Sequence, residues 1–172
     1  MASYVPTITI DSVIDALATF IAPFVRGGEV IRAQANRVPM PTSPCVVLTE
    51  LFEMDLETPI PLAHPVTNLY SFSAPTRVDI QIDFYGPDAG DHCKAVKQVF
   101  RTPYATAQFA DGIKPLYCSQ GIQSPLITGE QQWESRWTLT ATLQYNPVVD
   151  VPQQFADALD VDVQVPVDLT NL

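Results

Sequence analysis

Glycine is scarce in this chain, at seven residues of 172, while proline reaches sixteen. That imbalance argues against flexible glycine linkers and favours stiff, extended connections. Positive charge is scarce too: nine Lys and Arg stand against nineteen Asp and Glu, a formal net charge of −10. A surface that grips nucleic acid carries a basic patch, so specific DNA binding is not expected. An acidic wall would instead let a polyanion slide past. Three cysteines, Cys45, Cys93 and Cys118, lie far apart and form neither a disulfide framework nor a zinc spacing. They read as small buried hydrophobes of a reducing compartment. No apolar run is long enough to span a membrane. Asp11 and Asp15 interrupt the first apolar stretch, and no basic residues precede it. Neither a signal peptide nor a span is expected.

Catalytic constellations are missing as well. There is no glycine-rich phosphate loop, no GxSxG and no HExxH. His92 and Cys93 are adjacent, but helix neighbours point about 100° apart and do not face each other. His64 sits among prolines with no partner in view. Asp79 and Asp83 share a strand face about 13 Å apart, too far for paired carboxylates, which work at about 5–10 Å. They read as a solvated face, paired with Arg77 or Arg136 across strands. No cofactor, metal or catalytic residue is expected.

What is present is architecture. Val78, Ile80, Ile82 and Phe84 alternate with Arg77, Asp79, Gln81 and Asp83, the period of a strand with one buried face. Gly86, Pro87 and Asp88 stop it, with Asp88 at a helix N-cap position. Ala89, Cys93, Val96, Val99 and Phe100 then recur at helical spacing, with Lys94, Lys97 and Arg101 on another face, and Pro103 ends the helix. That basic face is either solvated or a dock for an acidic surface, which a neighbouring copy would supply. Gln132–Tyr145 is the long strand expected beside Arg77–Tyr85. Trp133, Trp137, Leu139, Ala141, Leu143 and Tyr145 form its core face; Thr138, Thr140 and Thr142 mark a polar, mostly uncharged face. Two readings fit that face: a surface that touches a partner, or a solvated one rich in Thr for strand propensity.

The remaining elements follow the same logic. Ser12 and Asp15 have capping-box spacing, ahead of a helix faced by Val13, Ile14, Leu17, Phe20, Ile21 and Phe24, which Pro23 and Gly27-Gly28 end. Glu29–Asn36 reads as a strand, and Cys45–Met54 as a largely buried one. Asp55–Pro65 reads as a proline loop whose Ile60 and Leu62 either bind a partner or pack on their own domain. Asn68–Ser73 is a further strand, Tyr104–Phe109 a helical turn, and Ile113–Cys118 an edge strand because of Pro115. Ser119–Glu130 reads as a loop or irregular hairpin, and Gln153–Leu159 as one or two helical turns. Pro147–Leu172 holds five aspartates and no Lys or Arg. There Val161, Val163, Val165, Val167 and Leu169 alternate with polar residues and Pro166, a pattern for an edge strand that pairs with a neighbouring subunit, with an adjacent assembly or with its own subunit's sheet.

The expected fold class is therefore α+β: a mainly antiparallel sheet with two principal helices packed on it, plus an extended C-terminal arm. The division is a domain over residues 1–147 and an acidic arm over 148–172.

The order of these elements resembles the neck or tail terminator proteins of tailed bacteriophages. The resemblance rests on the first helix, the strand Pro44-Cys45-Val46-Val47-Leu48-Thr49-Glu50, the Phe84-Tyr85-Gly86 junction into the Asp88 helix, and the strand ending Leu143-Gln144-Tyr145-Asn146-Pro147. It spans about residues 10–147. It implies a structural virion protein, assembled in the host cytoplasm as a hexameric ring at the head-proximal end of the tail. Such a ring ends tail-tube polymerisation and meets the tail tube protein and the head-completion or adaptor proteins of the neck. DNA is implied only as the passing genome. A tail tube subunit or head–tail adaptor is the nearest alternative, and a small enzyme the alternative of another class. The surfaces expected to meet partners are Ile60 and Leu62; Lys94, Lys97 and Arg101; Thr138, Thr140 and Thr142; and Val161, Val163, Val165, Val167 and Leu169.

Overall fold

The computed structural model describes residues 4–33, 42–124, 126–127 and 133–156. In chain order these form helix α1 (Ile10–Ile21) with a 3-10 turn after it, strands β1 (Glu29–Arg32), β2 (Cys45–Asp55), β3 (Ile60–His64), β4 (Leu69–Ser73) and β5 (Thr76–Tyr85), and helices α2 (Ala89–Phe100) and α3 (Pro103–Gln108). Strands β6 (Ile113–Cys118), β7 (Ile122–Gln123), β8 (Leu126–Ile127), β9 (Trp133–Glu134), β10 (Arg136–Tyr145) and β11 (Val148–Pro152) follow. The main sheet has the order β1-β2-β5-β10-β6, with β7 also on β10, and all its pairings are antiparallel except β1 with β2. A smaller antiparallel sheet has the order β11-β4-β3. This is an α+β fold, as the sequence pattern implies.

The expected pairing of the two long strands is present from Arg136↔Tyr85 to Tyr145↔Thr76. It puts Val78, Ile80, Ile82 and Phe84 beside Leu139, Ala141, Leu143 and Tyr145 on one buried face. α1 and α2 bring their apolar stripes to that face, and Phe20 joins them, its ring 5.9 Å from Phe100 and 5.3 Å from Phe109. Gly86, at φ 115°, makes the turn from β5 into α2, a backbone conformation that a side chain would strain. A Cβ there would also lie 2.8 Å from Ser43 Oγ.

Several local readings need correction. The N-cap of α1 is Thr9, and Ser12 closes the capping box from the N3 position, because the helix starts three residues earlier than the Ser12–Asp15 spacing suggests. Asp88 occupies the N-cap position of α2 but makes no side-chain capping bond. Pro103 opens α3 as well as following α2: with its missing N–H it fits the first turn, and the Thr102 side chain caps the helix. β2 is buried only in its first half; Leu51 and Phe52 are exposed at 51% and 52%. The proline segment is not all loop, since Ile60–His64 pairs with β4, and Pro61 is tolerated because β3 is an edge strand. Gln132–Tyr145 is interrupted at Ser135, whose carbonyl accepts the Gly86 N–H. Of Glu29–Asn36, only Glu29–Arg32 is a described strand, and residues 34–36 lie outside the described residues. Gln153–Ala156 is not helical, and residues 157–172, including Val161, Val163, Val165, Val167 and Leu169, lie outside the described residues.

The two sheets share a ladder. Tyr145 pairs with Thr76 and Val148 with Ser73, so β10 and β11 run beside β5 and β4 in one unshifted register. β2 and β3 accompany β5 and β4 on the other side, with a bulge between Glu50 and Phe52. The result is a long ribbon whose Thr76–Tyr85 half is covered by helices on one face. Its Leu69–Ser73 half forms a projecting three-stranded sheet.

Candidate functional site

Strand alternation decides what the projecting sheet displays. Pro61, Ala63, Tyr70, Phe72, Val149 and Val151 share one face by register, continuing the side that carries the core in the main sheet. Tyr70 stacks on Phe72 at 6.0 Å and on Phe155 at 5.3 Å between ring centroids, yet Phe72 is still exposed. The opposite face carries Ile60 and Leu62, 57% and 60% exposed, beside Ser71, Ser73 and Asp150. Val66, at the hairpin tip, is 98% exposed. Of the fourteen exposed large apolar side chains among the described residues, eight lie between Leu51 and Phe72. A small sheet with apolar residues on both faces gains little by itself in water, which makes this ribbon the candidate interaction surface of the chain. Ile60 and Leu62 were visible in the sequence. The face of Tyr70, Phe72, Val149 and Val151 was missed because Pro147 and Pro152 disguise β11; the Val149/Val151 alternation was the available signal.

The polar face of the main sheet is an internal hydrogen-bond ladder. Asp83, 3% exposed, accepts from Gln81 Nε2 at 2.7 Å, from Arg136 Nε at 3.2 Å and from the Thr138 hydroxyl. Asp79 accepts from Arg77 Nη2 at 2.7 Å and from the Thr142 hydroxyl at 2.7 Å. The expected pairing across strands is present for Asp83 with Arg136, while Asp79 pairs with Arg77 along its own strand, and the face is not solvated as expected because these bonds bury Asp83. Thr142 is buried and Thr138 half-buried, with both hydroxyls committed inside the chain, while Thr140 is half-buried between them. On the opposite, core face the Tyr145 hydroxyl donates to Glu53; burial first, then that bond, pushes the phenol well above its usual range.

The third surface is the outer side of α2. Lys94 and Arg101 are exposed, and Lys97 donates to the Gln120 side-chain carbonyl. Between α2 and the loop after β6 lies a groove of about 400 Å³, with Lys94, Lys97 and Asp91 on its rim and Trp137 and Cys93 in its wall. The glycines shape it: a Cβ on Gly90 would stand 3.1 Å from the Trp137 indole, and one on Gly121 would stand 2.7 Å from Cys93 Sγ.

The cysteines are free, with Cys45 and Cys93 buried and Cys118 half-buried. Burial, aided by the neighbouring Cys118, pushes the Cys93 thiol from 9.0 to about 11. Burial raises Cys45, Cys118 and Tyr85 in the same direction. A folded-state value above the unfolded one means full stability below the unfolded value and loss as the pH climbs through the folded one. The urea midpoint should therefore hold up to about pH 9 and fall between there and about pH 11. Cys93→Ala should fall less steeply over that window. An equal slope in both proteins would remove Cys93 from the account.

Among the described residues no helix is long and apolar enough to cross a membrane. No curated protein matches the chain. A family model described as phage neck terminator protein matches residues 11–168. That match extends past the 10–147 span over which the resemblance could be read, through β11 and into the acidic segment. With the order of elements and the projecting apolar ribbon already described, it shows that the chain belongs to the phage neck terminator family, whose role is structural.

Proposed function

We propose that the chain forms a closed ring at the head-proximal end of the phage tail, where it ends tail-tube polymerisation and joins the tail to the head-completion proteins of the neck. The observation that carries this reading is the projecting sheet with exposed apolar side chains on both faces, from Ile60 to Phe72. In a ring each subunit would lay that ribbon on its neighbour, a head-to-tail contact that closes when the rotation permits. Ile60 and Leu62 are the first contacts on this reading, with the Thr140 edge of the polar ladder and the α2 surface as further ones. Six-fold symmetry follows from family analogy. The net charge of −10 suits a ring through which the genome passes without sticking. Residues 1–147 are the terminator-like domain and 148–172 an arm whose first strand, β11, lies along β4 of its own chain. Assembly takes place in the host cytoplasm, and the chemistry is purely non-covalent.

Light scattering of the purified chain should give a multiple of 18.9 kDa, and negative-stain images should show rings. Virions made without the protein should carry tails of uncontrolled length. Tails of normal length that fail to join heads would assign the chain to an adaptor role instead. A strict monomer at about ten micromolar, with no ring formed on tail tube either, would defeat the reading.

A further inference from the structure

The basic residues of this acidic chain are unevenly used. Arg32 pairs with Asp11 and Glu50, Arg77 with Asp79 and Arg136 with Asp83. Among the described residues no ion pair engages Lys94, Lys97 or Arg101, which line one side of α2 over about 10 Å. Beside them opens the Trp137 groove, walled by an indole and two glycines, with Asp91 the one carboxylate on its rim. The site suits an extended peptide that is acidic on one side and carries a small apolar anchor.

The chain contains such a peptide. Asp157, Asp160 and Asp162 fall within six residues around Leu159 and Val161. In an extended chain Asp160 and Asp162 share one face about 7 Å apart, opposite Leu159 and Val161, close to the axial spacing of about 6 Å between Lys97 and Arg101. The same chain cannot lay Leu159 on its own Trp137. The described backbone ends beside Tyr70, where Phe155 stacks and the Gln153 N–H bonds Asn68 O. Trp137 pairs with Phe84 at the opposite end of the ladder. The strand path from Tyr70 to Phe84 is about 45 Å. α2 recovers about 12 Å of it by Lys97, which leaves about 33 Å. From Phe155 to Leu159, full extension reaches only about 14 Å.

We propose that residues 157–162 of a neighbouring copy dock on α2, with Asp160 and Asp162 on the Lys94, Lys97 and Arg101 face and Leu159 against Trp137. The proposal rests on the ring reading and makes the acidic segment a clasp between subunits. It accounts for a helix face whose three cations make no ion pair among the described residues, Lys97 having only the neutral Gln120 side chain as partner.

Full-length chain labelled with nitrogen-15 and unlabelled chain are co-refolded and treated with a water-soluble carbodiimide, which condenses a carboxylate with a lysine amine. Mass spectrometry should find Lys94 or Lys97 joined to Asp160 or Asp162, with mixed-isotope pairs present. Links confined to single-isotope pairs, or no such links in a multimeric sample, overturn the clasp while leaving the ring intact. A sample that light scattering finds monomeric, on tail tube as well, overturns the ring and the clasp together. Lys94→Glu with Lys97→Glu should raise the concentration for half-assembly about tenfold. Adding Asp160→Lys and Asp162→Lys to the same chain should restore it; failure to restore it counts against the pairing.

Discussion

Asp83→Ala should lower the unfolding free energy by about 3 kcal/mol, near the low end for removing one partner of a buried pair. In a chain of this size that corresponds to a fall in Tm of about 6–12 °C. The expectation follows from what the carboxylate holds. Its side chain is 4% exposed and Arg136 sits 3.0 Å away at 27% exposure. Gln81 and Thr138 also donate to it. Alanine would leave three donors aimed at an apolar methyl, and each unpaired buried group costs about 1–3 kcal/mol. Arg136 keeps some access to water and lies 5.7 Å from the Tyr85 ring centroid, which moderates the loss. Asp79→Ala is the natural comparison. That carboxylate is 17% exposed and its Arg77 partner 30%, so the loss there should be smaller. Thermal melts of the two variants side by side would decide it; equal shifts would mean that burial of Asp83 contributes nothing.

Ile60→Asp combined with Leu62→Asp should abolish assembly while leaving the subunit as stable as before. Both side chains are more than half exposed on β3, so the isolated fold loses little when they change. In a ring contact each would lose its apolar burial, worth about 1.5–3 kcal/mol, and would bring a charge with no partner into the interface. Even about 4 kcal/mol per contact weakens association by about a thousandfold. Light scattering should then find 18.9 kDa at concentrations where the unchanged chain is multimeric, with superimposable urea curves. A variant that still forms rings would move the contact elsewhere, and the Tyr70–Phe72 face of the same ribbon would be the next to test.

These predictions draw on two kinds of information, and the sequence by itself determined only one of them. Local periodicity was enough for α1, α2, β5 and β10, because side-chain direction repeats every 3.6 or 2 residues whatever the neighbours do. The Arg77–Tyr85 alternation and the Leu139–Tyr145 alternation also predicted their mutual pairing, since each had one apolar face to cover. The pairing of Asp83 with Arg136 was readable for the same reason. Burial at a distance was not. Leu51 and Phe52 look as apolar as Val46 and Leu48, yet only the latter pair lies beneath the helices. Ile60–His64 and Val148–Pro152 hold three of their ten residues as proline or aspartate, and they become strands because β4 offers an edge on each side. Whether an apolar residue is core or contact surface depends on what stands over it, and that is decided by helix length and sheet register. Here α1 and α2 cover the Thr76–Tyr85 half of a ladder that runs on without them, so tertiary structure alone left the apolar side chains of the projecting half exposed.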